Sequence, residues 1–171
     1  MTEKTPLILV DGSSYLYRAF HALPPLTNSK GLPTGAVKGV INMMRRLQKD
    51  YPESTVVVVF DAKGKTFRDD MYSEYKANRP ETPPELHQNV ERAKQVMRAF
   101  DIPIYEVPGY EADDVLGTIA KYADDNQINT IIATGDTDTL QLVSEYVGIM
   151  LTTGFGDTKV YDTSAVNERY G

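Results

Sequence analysis

Thr55-Val56-Val57-Val58-Val59-Phe60 constrains the fold more than any other stretch of the chain. It is a continuous β-branched run closed by an aromatic residue, and from Val56 on it has no polar side chain. Alternate residues of a strand point to opposite sides of a sheet, so such a run requires cover on both. Sheets covered on both faces are mostly parallel and are built from strand–helix–strand units. Pro6-Leu7-Ile8-Leu9-Val10 and Thr130-Ile131-Ile132-Ala133-Thr134 are runs of the same kind, and Ile102 to Val107 and Val147 to Leu151 read as two further strands. The intervening stretches carry helical spacing. Val37, Val40, Ile41, Met44 and Leu47 mark an amphipathic helix over Thr34 to Asp50, and Glu85 to Phe100 forms another, begun by Pro83-Pro84. Shorter helices are predicted over Tyr15 to Leu23, from Val115 to Ala120 and over Asp162 to Tyr170, with a helical turn from Leu140 to Val143. The order predicts one α/β domain over residues 1–171: an open, mainly parallel sheet flanked by helices on both faces.

In such sheets, ligands bind outside the carboxyl ends of the strands. Asp11, Asp61, Asp136 and Asp138 follow three of the predicted strands. A fourth leads into Pro108-Gly109-Tyr110-Glu111-Ala112-Asp113-Asp114, where three acids share a strand-to-helix turn and the first helical turn. Acids at a helix N-terminus complement the macrodipole, which accounts for one or two of them. Three close together repel one another, and a bound cation is the usual remedy. Across the chain, seven carboxylates fall on one rim.

Composition narrows the chemistry. There is no cysteine and there are two histidines, which excludes thiolate sites and argues against a histidine-rich zinc site. No apolar run is long enough to span a membrane, and the N-terminus does not resemble a signal peptide, so a cytoplasmic protein is expected. The net charge of −6 taken whole argues against nucleic-acid binding, but setting the seven rim acids aside brings the balance to +1. Residues 62–80 are locally basic, with five Lys or Arg against three Asp or Glu, and they include tyrosines and only weak apolar periodicity. This segment reads as a mobile, partly helical excursion, in which Lys76 and Arg79 are placed to hold phosphate and Tyr75 to stack on a base. The alternative for these residues is an ordinary solvated surface. Oxygen-only ligands suit magnesium or manganese, and paired ions of this kind can clamp an in-line phosphoryl displacement. The residues alone thus point to water attacking a phosphodiester.

Five motifs, in order, resemble the 5′-nuclease domain of bacterial DNA polymerase I, of the flap-endonuclease family. They are Val10-Asp11-Gly12-Ser13-Ser14-Tyr15-Leu16-Tyr17-Arg18, Phe60-Asp61-Ala62-Lys63-Gly64-Lys65-Thr66-Phe67-Arg68, Tyr75-Lys76-Ala77-Asn78-Arg79-Pro80, Gly109-Tyr110-Glu111-Ala112-Asp113-Asp114 and Thr134-Gly135-Asp136-Thr137-Asp138. The resemblance implies a resolvase-like, PIN-like core with a basic helical arch. The implied activity is a 5′→3′ exonuclease and flap endonuclease that removes RNA primers and displaced 5′ strands in replication and repair. It implies that Asp11, Asp61, Glu111 and Asp113 surround a catalytic magnesium or manganese, with Asp114 close by. Asp136 and Asp138 would face a second ion, with Asp113 the candidate to be shared between the two. Arg18, Lys65, Arg68, Tyr75, Lys76 and Arg79 would contact DNA, with Lys76 and Arg79 steering the scissile phosphate. The implied partners are DNA with 5′ flaps or nicks, RNA primers and the polymerase domain of a parent chain, with a monomer near the nucleoid.

Two departures stand out. Thr137 occupies the position between the two aspartates where the family commonly has lysine. Family domains also continue into a further acidic pair and a helix-hairpin-helix. The resemblance therefore implies an N-terminal part of a longer chain, with one ion well bound rather than two and with weak activity. Two rival readings remain at this level. One is a fragment that binds metal or DNA without cutting. The other is a haloacid-dehalogenase-type phosphatase, suggested by Asp136-Thr137-Asp138-Thr139, although that family carries its motif on the first strand.

Overall fold

The computed structural model describes residues 5–78, 82–153 and 157–171. Six strands form one sheet: β1 (Leu7–Asp11), β2 (Val56–Val59), β3 (Ile104–Tyr105), β4 (Thr130–Thr134), β5 (Val147–Thr153) and β6 (Asp157–Tyr161). Their spatial order is β3-β2-β1-β4-β5-β6. The first five strands run parallel, and β6 pairs antiparallel with β5. The chain leaves β1 in one direction to build β2 and β3, then crosses back to place β4 on the other side of β1. The crevice between β1 and β4 is therefore the topological switch point, the usual ligand position in this architecture.

Both sheet faces are covered, as the valine run requires. Ile8, Val10, Val56, Val58, Ile131 and Ala133 meet α1 (Gly12–Ala22), α2 (Gly35–Asp50) and α3 (Pro84–Ala99) on one side. Leu9, Val59, Ile132, Ile149 and Leu151 meet α4 (Ala112–Asp125) and the flanking α5 (Thr163–Tyr170) on the other. Alternate residues of each strand thus serve opposite layers. Among the described residues, no helix is long and apolar enough to cross a membrane.

Several boundaries differ from the sequence expectations. The first helix begins at Gly12 rather than Tyr15, because the Asp11 carboxylate caps it by accepting from the Ser14 amide at 3.0 Å. Gly12 is tightly enclosed: a Cβ there would lie 2.7 Å from Val58 and 2.8 Å from Phe60. The strand expected over residues 102–107 contracts to Ile104–Tyr105, a sheet edge with pairing on one side only. The helical turn expected at Leu140 starts earlier, as a 3-10 helix over Thr137–Leu142. Strand β6 was absent from the expectations altogether. Within residues 62–80 there is one short helix (Phe67–Met71), followed by turns as far as residue 78. Arg79 lies outside the described residues.

Candidate metal centre

The acids gather where the strand order places them. Asp11 ends β1, Asp61 follows β2, Glu111 and Asp113 open α4 after β3, and Asp136 follows β4, so the four adjacent strand ends each contribute to one rim. Backbone and hydroxyl groups stitch these ends together. The Ser13 hydroxyl accepts from the Asp61 amide at 3.0 Å, and the Ser14 hydroxyl accepts from the Gly135 amide at 3.0 Å. Thr134 donates its hydroxyl to Asp11 Oδ2 at 2.8 Å and accepts from the Asp136 amide at 3.1 Å. Asp61 Oδ1 accepts from the Ala112 amide at 2.7 Å and so satisfies the open end of a helix 51 residues further along the chain. Ser13, Ser14 and Thr134 were not singled out from sequence. The only trace of their role is that small hydroxyl residues sit directly at the strand ends.

The electrostatics of the rim follow from this crowding. Asp11 is 4% exposed, and burial pushes its carboxyl up to about 6, with Asp113 and Asp61 adding to the rise against the Ser14 and Thr134 hydrogen bonds. Asp113 is exposed by area but stands among the charges of the same acids. Partial desolvation, then the charges of Asp136, Asp61 and Glu111, hold its carboxyl above the ordinary range. These are the signs of an acidic cluster short of positive charge. Hard divalent cations take such oxygen donors, so the donor chemistry fits magnesium or manganese. Among the described residues, however, no three acids are spaced to hold one ion as the side chains stand. Occupancy therefore requires the carboxylates to swing inward.

The basic segment lies on the same rim. Lys76 Nζ donates to Glu111 Oε1 at 2.6 Å, and the Tyr75 hydroxyl to Glu111 Oε2 at 3.2 Å. Lys76 has a φ of 58°, the left-handed region that a lysine seldom adopts, and the turn so formed aims its side chain at the acids. Arg68 forms a two-pronged pair with Asp114, both N–O distances being 2.5 Å. That hydrogen-bonded guanidinium holds the Asp114 carboxyl below the usual carboxylate range. Arg18 donates to the Gly135 carbonyl at 2.6 Å. A Cβ on residue 135 would overlap the Arg18 guanidinium, which explains the glycine before Asp136. Asp138 is exposed on the 3-10 helix, and its amide donates to Asp136 Oδ1 at 2.9 Å. Lys65 is exposed beside α4's approach turn. The structure thus brings Asp11, Asp61, Glu111, Asp113 and Asp136 together, places Asp138 outward, and turns Asp114 and Arg68 toward each other.

A family model described as the 5′-3′ exonuclease N-terminal resolvase-like domain matches residues 6–171. DNA polymerase I of Pseudomonas aeruginosa is 52% identical over 170 residues, covering 99% of this chain and 18% of the polymerase. A 5′-3′ exonuclease of Buchnera aphidicola is 37% identical over 164 residues, covering 96% of this chain and 53% of the relative. Among solved structures, a bacteriophage T5 flap endonuclease in a pseudo-enzyme-product complex with DNA and metal ions superposes with a TM-score of 0.72 at 25% identity, covering 96% of this chain and 60% of that one. The chain spans about a fifth of the length of the polymerase relatives it matches.

Proposed function

From the premise that the chain belongs to the 5′-3′ exonuclease N-terminal resolvase-like family, we propose that it is the core of a divalent-metal-dependent 5′→3′ exonuclease and 5′-flap endonuclease. Its substrates on this reading are DNA with 5′ flaps or nicks, and RNA primers. It works as a monomer alongside a polymerase domain, in the cytoplasm at the nucleoid. The observation that carries the reading is the convergence of five carboxylates on adjacent strand ends, with Asp11 buried and pushed up to about 6.

Asp11, Asp61, Glu111 and Asp113 would hold magnesium or manganese, and Asp136 with Asp138 a second ion, less completely enclosed. Bound there, such ions activate water and offset charge on the attacking and leaving oxygens of a phosphodiester. The chain's own residues do the rest. Thr134 and the Ser14 amide fix the Asp11 carboxylate in one orientation. Lys76 rests on Glu111 in the free protein and moves to the substrate phosphate, leaving Glu111 open to the metal. Tyr75, whose hydroxyl also rests on Glu111, would travel with it and stack on a base. Arg79, three residues on, would add a second positive charge on the phosphate.

The test is cleavage of a 5′-labelled flap duplex with magnesium or manganese, with the Asp113→Asn variant as control. Short labelled products that need both the cation and Asp113 are expected. Cleavage that persists in EDTA, or that survives Asp113→Asn unchanged, would refute the reading. Turnover of a small phosphomonoester instead would favour the phosphatase alternative at Asp136.

A further inference from the structure

Asp114 is differently placed from its neighbours. Successive helical residues are about 100° apart, so Asp113 and Asp114 cannot serve the same side of α4. The oxygens of Asp114 are already engaged: Oδ2 accepts from Arg68 Nη1 at 2.5 Å and from the Glu111 amide at 3.0 Å, and Oδ1 accepts from Arg68 Nη2 at 2.5 Å. Arg68 is equally fixed, its guanidinium standing 4.6 Å over the Phe67 ring. Phe67 closes the joint from the other side. Its amide donates to the Gly109 carbonyl at 2.9 Å, and its ring lies 5.5 Å from that of Tyr110. The joint links the first turn of the short helix Phe67–Met71 to the turn that opens α4, so it holds the start of the basic segment against the acids.

We propose that Arg68 and Asp114 are a positioning pair, neither a phosphate contact nor a metal ligand, that fixes the Glu111–Asp113 end of α4 for cation binding. The assignment departs from what the resemblance implies for both residues, Arg68 as a DNA contact and Asp114 as an acid close by the metal. A cation could recruit Asp114 only by displacing two short charge-assisted hydrogen bonds from one guanidinium, whereas Glu111 need release one lysine hydrogen bond, the tyrosine hydroxyl and a longer 3.8 Å ion pair with Arg68. The consequence for cation binding rests on the metal reading above. The positioning itself does not.

Two measurements on the whole chain separate these. The first is hydrogen exchange of the Glu111 amide in metal-free protein. Arg68→Met and Asp114→Asn should each speed exchange about tenfold, and the double variant should be no faster than the faster single one, because both remove one joint. Arg68→Lys should restore part of the protection. Unchanged exchange in Arg68→Met overturns the proposal. The second is manganese titration followed by electron paramagnetic resonance. A positioning role predicts that Arg68→Met and Asp114→Asn weaken binding alike, by about tenfold, as for other outer-shell partners. A ligand role for Asp114 predicts opposite signs: Asp114→Asn weakens binding, and Arg68→Met tightens it by removing a competing cation. That result overturns the proposal. If the parent chain binds no manganese, the metal reading fails and the exchange measurement still decides the positioning. Circular dichroism confirms folding first, and Arg68→Lys substitutes in both measurements if Arg68→Met does not fold.

Discussion

Replacing Asp11 by asparagine should stabilise the metal-free protein at neutral pH while removing its response to metal. Burial, with smaller contributions from Asp113 and Asp61, lifts the Asp11 carboxyl from 3.8 to about 6. In the unfolded chain that carboxyl ionises at its ordinary value. Below about pH 4 it is protonated in both states and costs nothing. Between about pH 4 and 6 the fold binds more protons than the unfolded chain, so stability falls as pH rises, and above that range the full penalty applies. A rise of about two units corresponds to about 3 kcal/mol at pH 7. The amide keeps the Ser14 hydrogen bond through its oxygen. Its NH₂ meets the Thr134 hydroxyl, which already accepts from Asp136 and must redirect its proton, at a cost of about 1 kcal/mol. The net expectation is a gain of about 2 kcal/mol at pH 7.5 that reverses to a loss of up to about 1 kcal/mol at and below pH 4. Urea unfolding of both proteins in EDTA at the two pH values measures it. Millimolar manganese should then raise the melting temperature of the parent chain and not of Asp11→Asn. An Asp11→Asn protein less stable than the parent at pH 7.5 in EDTA, or a difference that does not change with pH, would refute the argument that the buried Asp11 charge opposes folding.

Two further predictions concern cations near the rim. Lys76→Ala should tighten manganese binding about threefold to tenfold, because it removes the charge now occupying Glu111, yet slow flap cleavage; weaker metal binding in that variant would show that Lys76 organises the ligands rather than competing with the ion. Lys94 is 3% exposed and donates to Glu106 at 2.5 Å, with its ammonium 5.2 Å from the Phe60 ring just before Asp61. Glu106→Ala should cost about 2–3 kcal/mol, because it leaves that buried charge only the longer pair with Glu91 at 3.8 Å, whereas Lys94→Met should cost distinctly less because Glu106 reaches solvent; equal losses in urea unfolding would contradict this.

The sheet was legible because burial on two faces leaves no freedom of composition: Val56, Val58 and Val59 are all buried, and nothing polar would serve there. Strand β6 was not legible because four of its five residues are exposed and polar or isolated, so its pairing with β5 leaves no apolar rhythm. The acids were legible for a related reason. Strand ends fix position, and a strand end needs only a few residues to recognise. Contact partners are harder to read. Sequence gives the sign of Arg68 and Lys76 but not what they touch, and a cation beside a polyanion-binding motif is naturally assigned to the polyanion. In the folded chain each instead meets an acid far along the sequence, Arg68 across 46 residues and Lys76 across 35. The two contacts then differ in kind. Arg68 is held by a planar two-pronged pair and a ring, which makes it costly to release, whereas Lys76 is held by one flexible ammonium on a strained turn. A segment built this way has a fixed base and an exchangeable tip, and on the proposed function it is the tip that would leave Glu111 for metal and phosphate to share the rim.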